Sequence, residues 1–222
     1  MALLLILTAA LFILGACLPA RNTTGRWDRE AASQAILEYY QKLLPDLNPA
    51  VKFPVEDVTT DEIWEQLHIQ IFRVTEGIYE NESFILNGGN LIQMGTAFGG
   101  FGVNSLAVSD LNQDNQLELL FTYSFGSGIH RTHIAAYAPN FYKDRIIECD
   151  LEYLGDLQLV KLSNQDIEVQ IIDMSLEEGI TKPVYNLGTL SLIKQQNSEL
   201  ALILDVNPSL PTEFYAGIVF YK

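Results

Sequence analysis

Positive charge is in short supply: 13 Lys and Arg stand against 28 Asp and Glu, for a formal net charge of −15. A field of that sign repels phosphate backbones, which argues against nucleic acid as a partner, and it suits cations. Cysteine is scarcer still, with only Cys17 and Cys149, which allows one disulfide at most and excludes a multiply stapled scaffold. If Cys17 carries another modification, Cys149 is a lone thiol. Its place in the alternating stretch Ile146-Ile147-Glu148-Cys149-Asp150-Leu151 reads as a small buried hydrophobe, with no basic neighbour to activate it. No strictly apolar run reaches the roughly 20 residues of a comfortable membrane span, although no charged side chain appears before Arg21. The longest, Leu3 to Leu14, is broken only by Thr8. The Gly-x-Ser-x-Gly pattern of a nucleophile turn is also missing: Ser127 lies between glycines, but Phe125 stands two residues before it.

What remains is a globular composition, 48% hydrophobic and 18% charged. The run from Leu3 to Leu14 has the length of a secretory core, and it ends in Leu14-Gly15-Ala16-Cys17. Those four residues resemble the lipobox of bacterial lipoproteins, in which small residues precede an invariant cysteine. The resemblance implies that 1–16 is a cleaved signal, that Cys17 is lipidated, and that 17–27 links it to the body. It implies a membrane partner through the lipid, and a place on the extracytoplasmic side of a cell membrane. Met1-Ala2-Leu3 lacks the usual Lys or Arg, so either the start lies upstream or the terminal amine supplies the charge. The rival is an uncleaved anchor, which Arg21, Arg26 and Arg29 would orient with the body inside. The sequons Asn22-Thr23-Thr24 and Asn81-Glu82-Ser83 carry no weight beside a bacterial leader.

The body, 28–222, reads as one domain that is helical over 28–67 and β-rich over 69–222. Asp28 caps a helix reaching about Leu44, with Ala32, Ile36, Tyr40 and Leu44 at four-residue spacing and Pro45 as its stop. Thr59 and Glu62 have the spacing of a capping box before a short helix carrying Ile63, Trp64 and Leu67. From Ile69 the period changes to two. Asn87-Gly88-Gly89-Asn90 marks a tight hairpin, and about eleven short strands follow in all. The expected class is mainly β with a helical preface (α+β), with antiparallel sheets in a sandwich or a partial propeller.

One loop carries metal chemistry. Asp110, Asn112, Asp114, Gln116 and Glu118 place oxygen donors at alternate positions, and calcium takes six to eight oxygens. Asn115 stands where the backbone must turn sharply, and Asn is the best non-glycine residue for that conformation. The segment from Ser105 to Phe121 resembles the strand-loop-strand unit of FG-GAP or VCBS-type repeats, departing from it at Asn115 and Glu118. That resemblance implies a structural calcium site in a single copy. The other reading is a polar turn in which Asp110 and Asn112 bond to their own backbone.

The glycine-rich stretches around Phe98 and Phe125 flank His130 and His133, and Phe98 to Tyr137 is similar to exported bacterial proteins of no assigned activity. Alternation points the two histidines to opposite faces, so they do not form a metal pair. His68 reads as a boundary residue after the short helix. Acid pairs such as Asp61-Glu62 and Glu177-Glu178 read as a helix start and a charged turn, not as glycosidase carboxylates. Two functions follow from different classes. The first is a non-enzymatic module binding a protein or glycan, with Phe98, Phe101 or Tyr123 in an exposed patch. The second is a serine-type hydrolase using Ser127 with His130 or His133.

Overall fold

A computed structural model describes residues 25–126, 128–139, 145–175, 180–195 and 199–221. The leader, Cys17, the linker as far as Thr24, Ser127 and the pair Glu177-Glu178 lie outside the described residues. Helix α1 (Arg29–Leu43) starts where Asp28 accepts the Ala31 N–H at 2.8 Å. Strand β1 (Val55–Asp57) follows, and then helix α2 (Asp61–Leu67). The cap of α2 is Thr60 and not Thr59, since Thr60 Oγ1 takes the Ile63 N–H at 3.3 Å. Thr59 instead donates its hydroxyl to Asp57 and accepts the Ile71 N–H at 2.8 Å. His68 ends the helix in the left-handed region at φ 55°.

Strands β2 (Gln70–Val74), β3 (Ser83–Asn87) and β4 (Asn90–Gln93) join β1 in an antiparallel sheet of order β1-β2-β3-β4. The β3–β4 hairpin turns on Gly88 and Gly89, both at positive φ, as the Asn-Gly-Gly-Asn run predicts. This sheet is apolar on both faces. Phe72, Val74, Phe84 and Leu86 pack on Ile36 and Tyr40 of α1, while Ile71 and Ile85 face the second sheet. Each large side chain fully withdrawn from water contributes about 1.5–3 kcal/mol.

The second sheet holds β5 (Gly102–Ser109), β6 (Glu118–Phe125), β7 (Arg131–Ala138), β8 (Arg145–Leu154), β9 (Asp156–Lys161), β10 (Ile167–Ser175), β11 (Ile180–Lys194) and β12 (Leu200–Val206). Its order is β5-β6-β7-β8-β12-β11-β10-β9. After the short helix α3 (Thr212–Tyr215), strand β13 (Ile218–Phe220) pairs with β8. The sheet curls until its two end strands meet: Leu159 N–H donates to Ser105 Oγ at 2.9 Å, and Thr122 Oγ1 to the Leu157 carbonyl at 3.3 Å. Alternation then divides β6 cleanly. Leu120 faces the curled interior with Leu157, Val169, Leu190 and Leu204, while Leu119, Phe121 and Tyr123 face the small sheet. The protein is therefore β-rich α+β, with a small sheet layered on a larger one. Pairing is antiparallel except between β8 and β12, which run parallel and share the single register pair Leu202–Cys149.

Candidate functional site

The acidic loop is the turn between β5 and β6, and its backbone is wound tightly around its own side chains. Asp110 accepts from the N–H groups of Asp114 (3.0 Å) and Asn115 (2.8 Å), and Asn112 Oδ1 also accepts from Asp114 (3.1 Å). Asp114 takes the Gln116 N–H at 2.9 Å and the Asn112 side-chain amide at 3.1 Å. Gln113 and Asn115 adopt positive φ, 57° and 64°, which confirms the sharp turn expected at Asn115. Glu118, first residue of β6, is buried and receives the Leu111 N–H at 3.0 Å. Burial pushes its carboxyl up to about 7; Asp114 and Asp110 add to the rise, and the Leu111 bond opposes it. Three carboxylates thus gather at one turn, one of them withdrawn from water. Among the described residues, no three His, Cys, Asp or Glu side chains are arranged as a metal cluster. A cation at this loop would draw on Asn112 and carbonyl oxygens as well as on carboxylates. Each carboxylate oxygen already engaged keeps a second lone pair for such a ligand.

The two histidines have separate partners. His130 Nδ1 lies 3.3 Å from Asp156 Oδ1, and its ring meets Phe101 edge-on at 4.4 Å. His133 lies on β7, stacked on Tyr123 (5.0 Å), Phe125 (5.2 Å) and Tyr221 (6.0 Å). Its Nε2 is 3.4 Å from Glu152 Oε2, yet it has no hydrogen-bond partner. Burial lowers the tendency of this imidazole to protonate, an effect that Glu148 and Glu152 partly offset. Glu152, only 2% exposed, accepts from Arg131 at 3.1 Å and from the Tyr221 hydroxyl. Tyr123 donates its hydroxyl to Glu148 at 2.6 Å.

This buried polar cluster on the outer face of β6, β7 and β8 is absent from the sequence reading. One signal was present: Glu148, Asp150 and Glu152 alternate along β8, which puts three acids on one side of a strand. Nothing local, however, says that Tyr221, at the far end of the chain, folds back over Glu152.

The two ends of the molecule differ. Trp27 enters beside Gln70, whose side chain accepts the Trp27 N–H at 2.6 Å. Gln70 pairs with Leu86, the neighbouring Asn87 donates to the Tyr137 hydroxyl at 2.8 Å, and Tyr137 pairs with Leu119 beside Glu118. The chain's entry point and the acidic loop therefore share one end. At the other end the Phe98 and Ile129 loops meet, with Gly126 N–H donating to the Phe98 carbonyl at 2.9 Å. Phe98 and Ile129 are 77% and 68% exposed, Phe101 is half-buried and Tyr123 is buried.

No family model matches the chain, and neither a curated protein nor a solved structure does.

Proposed function

We propose that the chain is an exported bacterial lipoprotein, held on the extracytoplasmic face of a cell membrane by lipid on Cys17. Its β body serves as a non-enzymatic binding or structural module for a protein or glycan. A calcium ion at the FG-GAP- or VCBS-like loop ties β5 to β6. Asp110, Asn112, Asp114 and Glu118, with the Gln116 carbonyl, would hold the ion, whose charge would offset the loop's carboxylates.

The observation that carries the calcium reading is the burial of Glu118 beside Asp110 and Asp114, since a carboxylate leaves water there at a cost that a cation removes. The module reading is supported by the exposed apolar end of the molecule. The exposed pair Phe98 and Ile129, at the end away from the chain's entry, supplies an outward apolar contact.

The test uses the full chain in non-ionic detergent. Calcium at a hundred times its dissociation constant adds about 2.7 kcal/mol, which for a domain of this size raises Tm by roughly 5–11 °C over EDTA. Asp114→Ala abolishes the rise. An unchanged Tm in calcium would reduce the loop to a polar turn. Metabolic labelling with palmitate marks the wild-type chain but not Cys17→Ser; equal labelling of both would rule out the tether.

A further inference from the structure

A groove of 1240 Å³ separates the edge strand β4 from β8 and β12. It is larger than the roughly 300–1,000 Å³ pockets of drug-sized ligands. One wall is the edge of β4, and the other includes the face of β8 that carries Ile146, Glu148 and Asp150. Met94 N–H bonds to the Ser83 carbonyl at 2.8 Å, which fixes the alternation along β4: Asn90 and Ile92 turn their amides toward β3. The backbone groups of Leu91 and Gln93 then point away from β3, into the groove. Opposite them, β8 pairs with β7 along one side. Along its other side it meets β12 only at Cys149 and β13 only from Leu151 to Tyr153. From Arg145 to Glu148 that side has no strand partner among the described residues.

Open edges invite strand addition, and the other edge of the small sheet is guarded against it. Strand β1 is three residues long, follows Pro54, and carries Glu56 and Asp57, with Glu56 bound to Arg73. Strand β4, Asn90-Leu91-Ile92-Gln93, has no proline, charge or bulge. Across from it, Glu148 and Asp150 stand exposed on one face of β8, beside the apolar Ile146. The chain as a whole carries −15. Backbone groups select a peptide over a glycan, and the carboxylates select its charge.

We propose that this groove receives an extended, lysine- or arginine-bearing segment of a partner protein, which adds to β4 as a further strand and sets its cations against Glu148 and Asp150. The proposal rests on reading the body as a binding module, and is independent of the lipid and of calcium.

The probe is a fluorescein-labelled octapeptide of alternating Lys and Val, titrated with the full chain in non-ionic detergent and followed by anisotropy. Saturable binding is expected. It weakens at least fivefold in the double variant Glu148→Gln, Asp150→Asn, where the amide oxygen at 148 can still accept from Tyr123. It weakens at least fivefold again when alternate peptide amides are N-methylated. Equal binding of the N-methylated peptide, or of a Lys-Gly peptide with no strand preference, would show charge attraction alone and overturn the proposal. So would an absence of peptide binding, or saturable binding of a neutral oligosaccharide in the peptide's place. The double variant should keep the wild-type far-ultraviolet circular dichroism spectrum and a cooperative thermal transition, which separates loss of the groove from loss of the fold. Recovery of cleaved peptide, read by mass spectrometry, would sink the module reading itself.

Discussion

Glu118 and His133 are both buried ionisable side chains, and they act on stability in different ways. Glu118 lies beside Asp110 and Asp114, so its ionised form adds a third negative charge where water is excluded. Glu118→Gln keeps an oxygen for the Leu111 N–H and removes that charge. In calcium-free buffer it is expected to raise stability by about 1–2 kcal/mol in denaturant unfolding, and in calcium to lose the ion's contribution. A variant less stable than wild type without calcium would contradict this account. His133 faces Glu148, Glu152, Arg131, Tyr123 and Tyr221, and burial holds it neutral. Its folded pKa is lowered, so its contribution is fully present above the unfolded value near 6.5 and is lost as pH falls below that. The limiting slope is about 1.4 kcal/mol per pH unit. His133→Phe, which preserves the aromatic stack, should flatten the stability profile between pH 7 and 5 relative to wild type. Parallel profiles would mean that His133 takes no part in acid sensitivity.

The elements follow local chemistry where each carries its own signal. Asp28 caps α1, Pro45 follows its end, and the paired glycines turn β3 into β4. Elements whose cause is distant escaped notice. Strand β1 lies inside the stretch read as helical, since three residues between Pro54 and α2 carry no period and gain their shape by pairing with β2. Strand β11 is 15 residues long, and register shifts opposite Val169/Gln170 and Ile171/Ile172 break the alternation that would mark it in the sequence. Gly102, which opens β5, shows a demand that only packing reveals. It has φ +64°, and a Cβ there would lie 2.2 Å from the Asn81 carbonyl oxygen. Gly102→Ala is expected to cost about 2–4 kcal/mol by combining backbone strain with that clash. A loss under about 0.5 kcal/mol would show that the turn at Asn81 relaxes freely.

At the scale of the molecule, β6 and β7 serve two cores at once. Leu119, Phe121, Ala135 and Tyr137 face the small sheet, while Leu120, Ile134 and Ala136 face the curled interior. The junction of β8 with β12 is the opposite case, a parallel contact with one register pair. Native-state hydrogen exchange should therefore find the slowest amides in β6 and β7, and faster exchange at Ala201 and Leu202 of β12. Equal protection at both places would mean that the large sheet opens only as a unit. The same architecture sets the chain's entry and the acidic loop at one end and Phe98 with Ile129 at the other. A tether through Cys17 would then direct the apolar loops outward.

By itself the sequence determined the β-rich class, the first helix with its cap, the tight hairpin and the winding of the acidic loop. Each depends on interactions between residues a few positions apart, or on alternation along one strand. Only the tertiary structure decided that the large sheet curls until β9 meets β5, that Tyr221 covers Glu152, and that β4 faces β8 across an open groove. These are contacts between segments far apart in the chain, chosen by how apolar faces pair and how much surface each pairing buries. Hydrophobic burial is non-directional, so no local pattern encodes which face meets which.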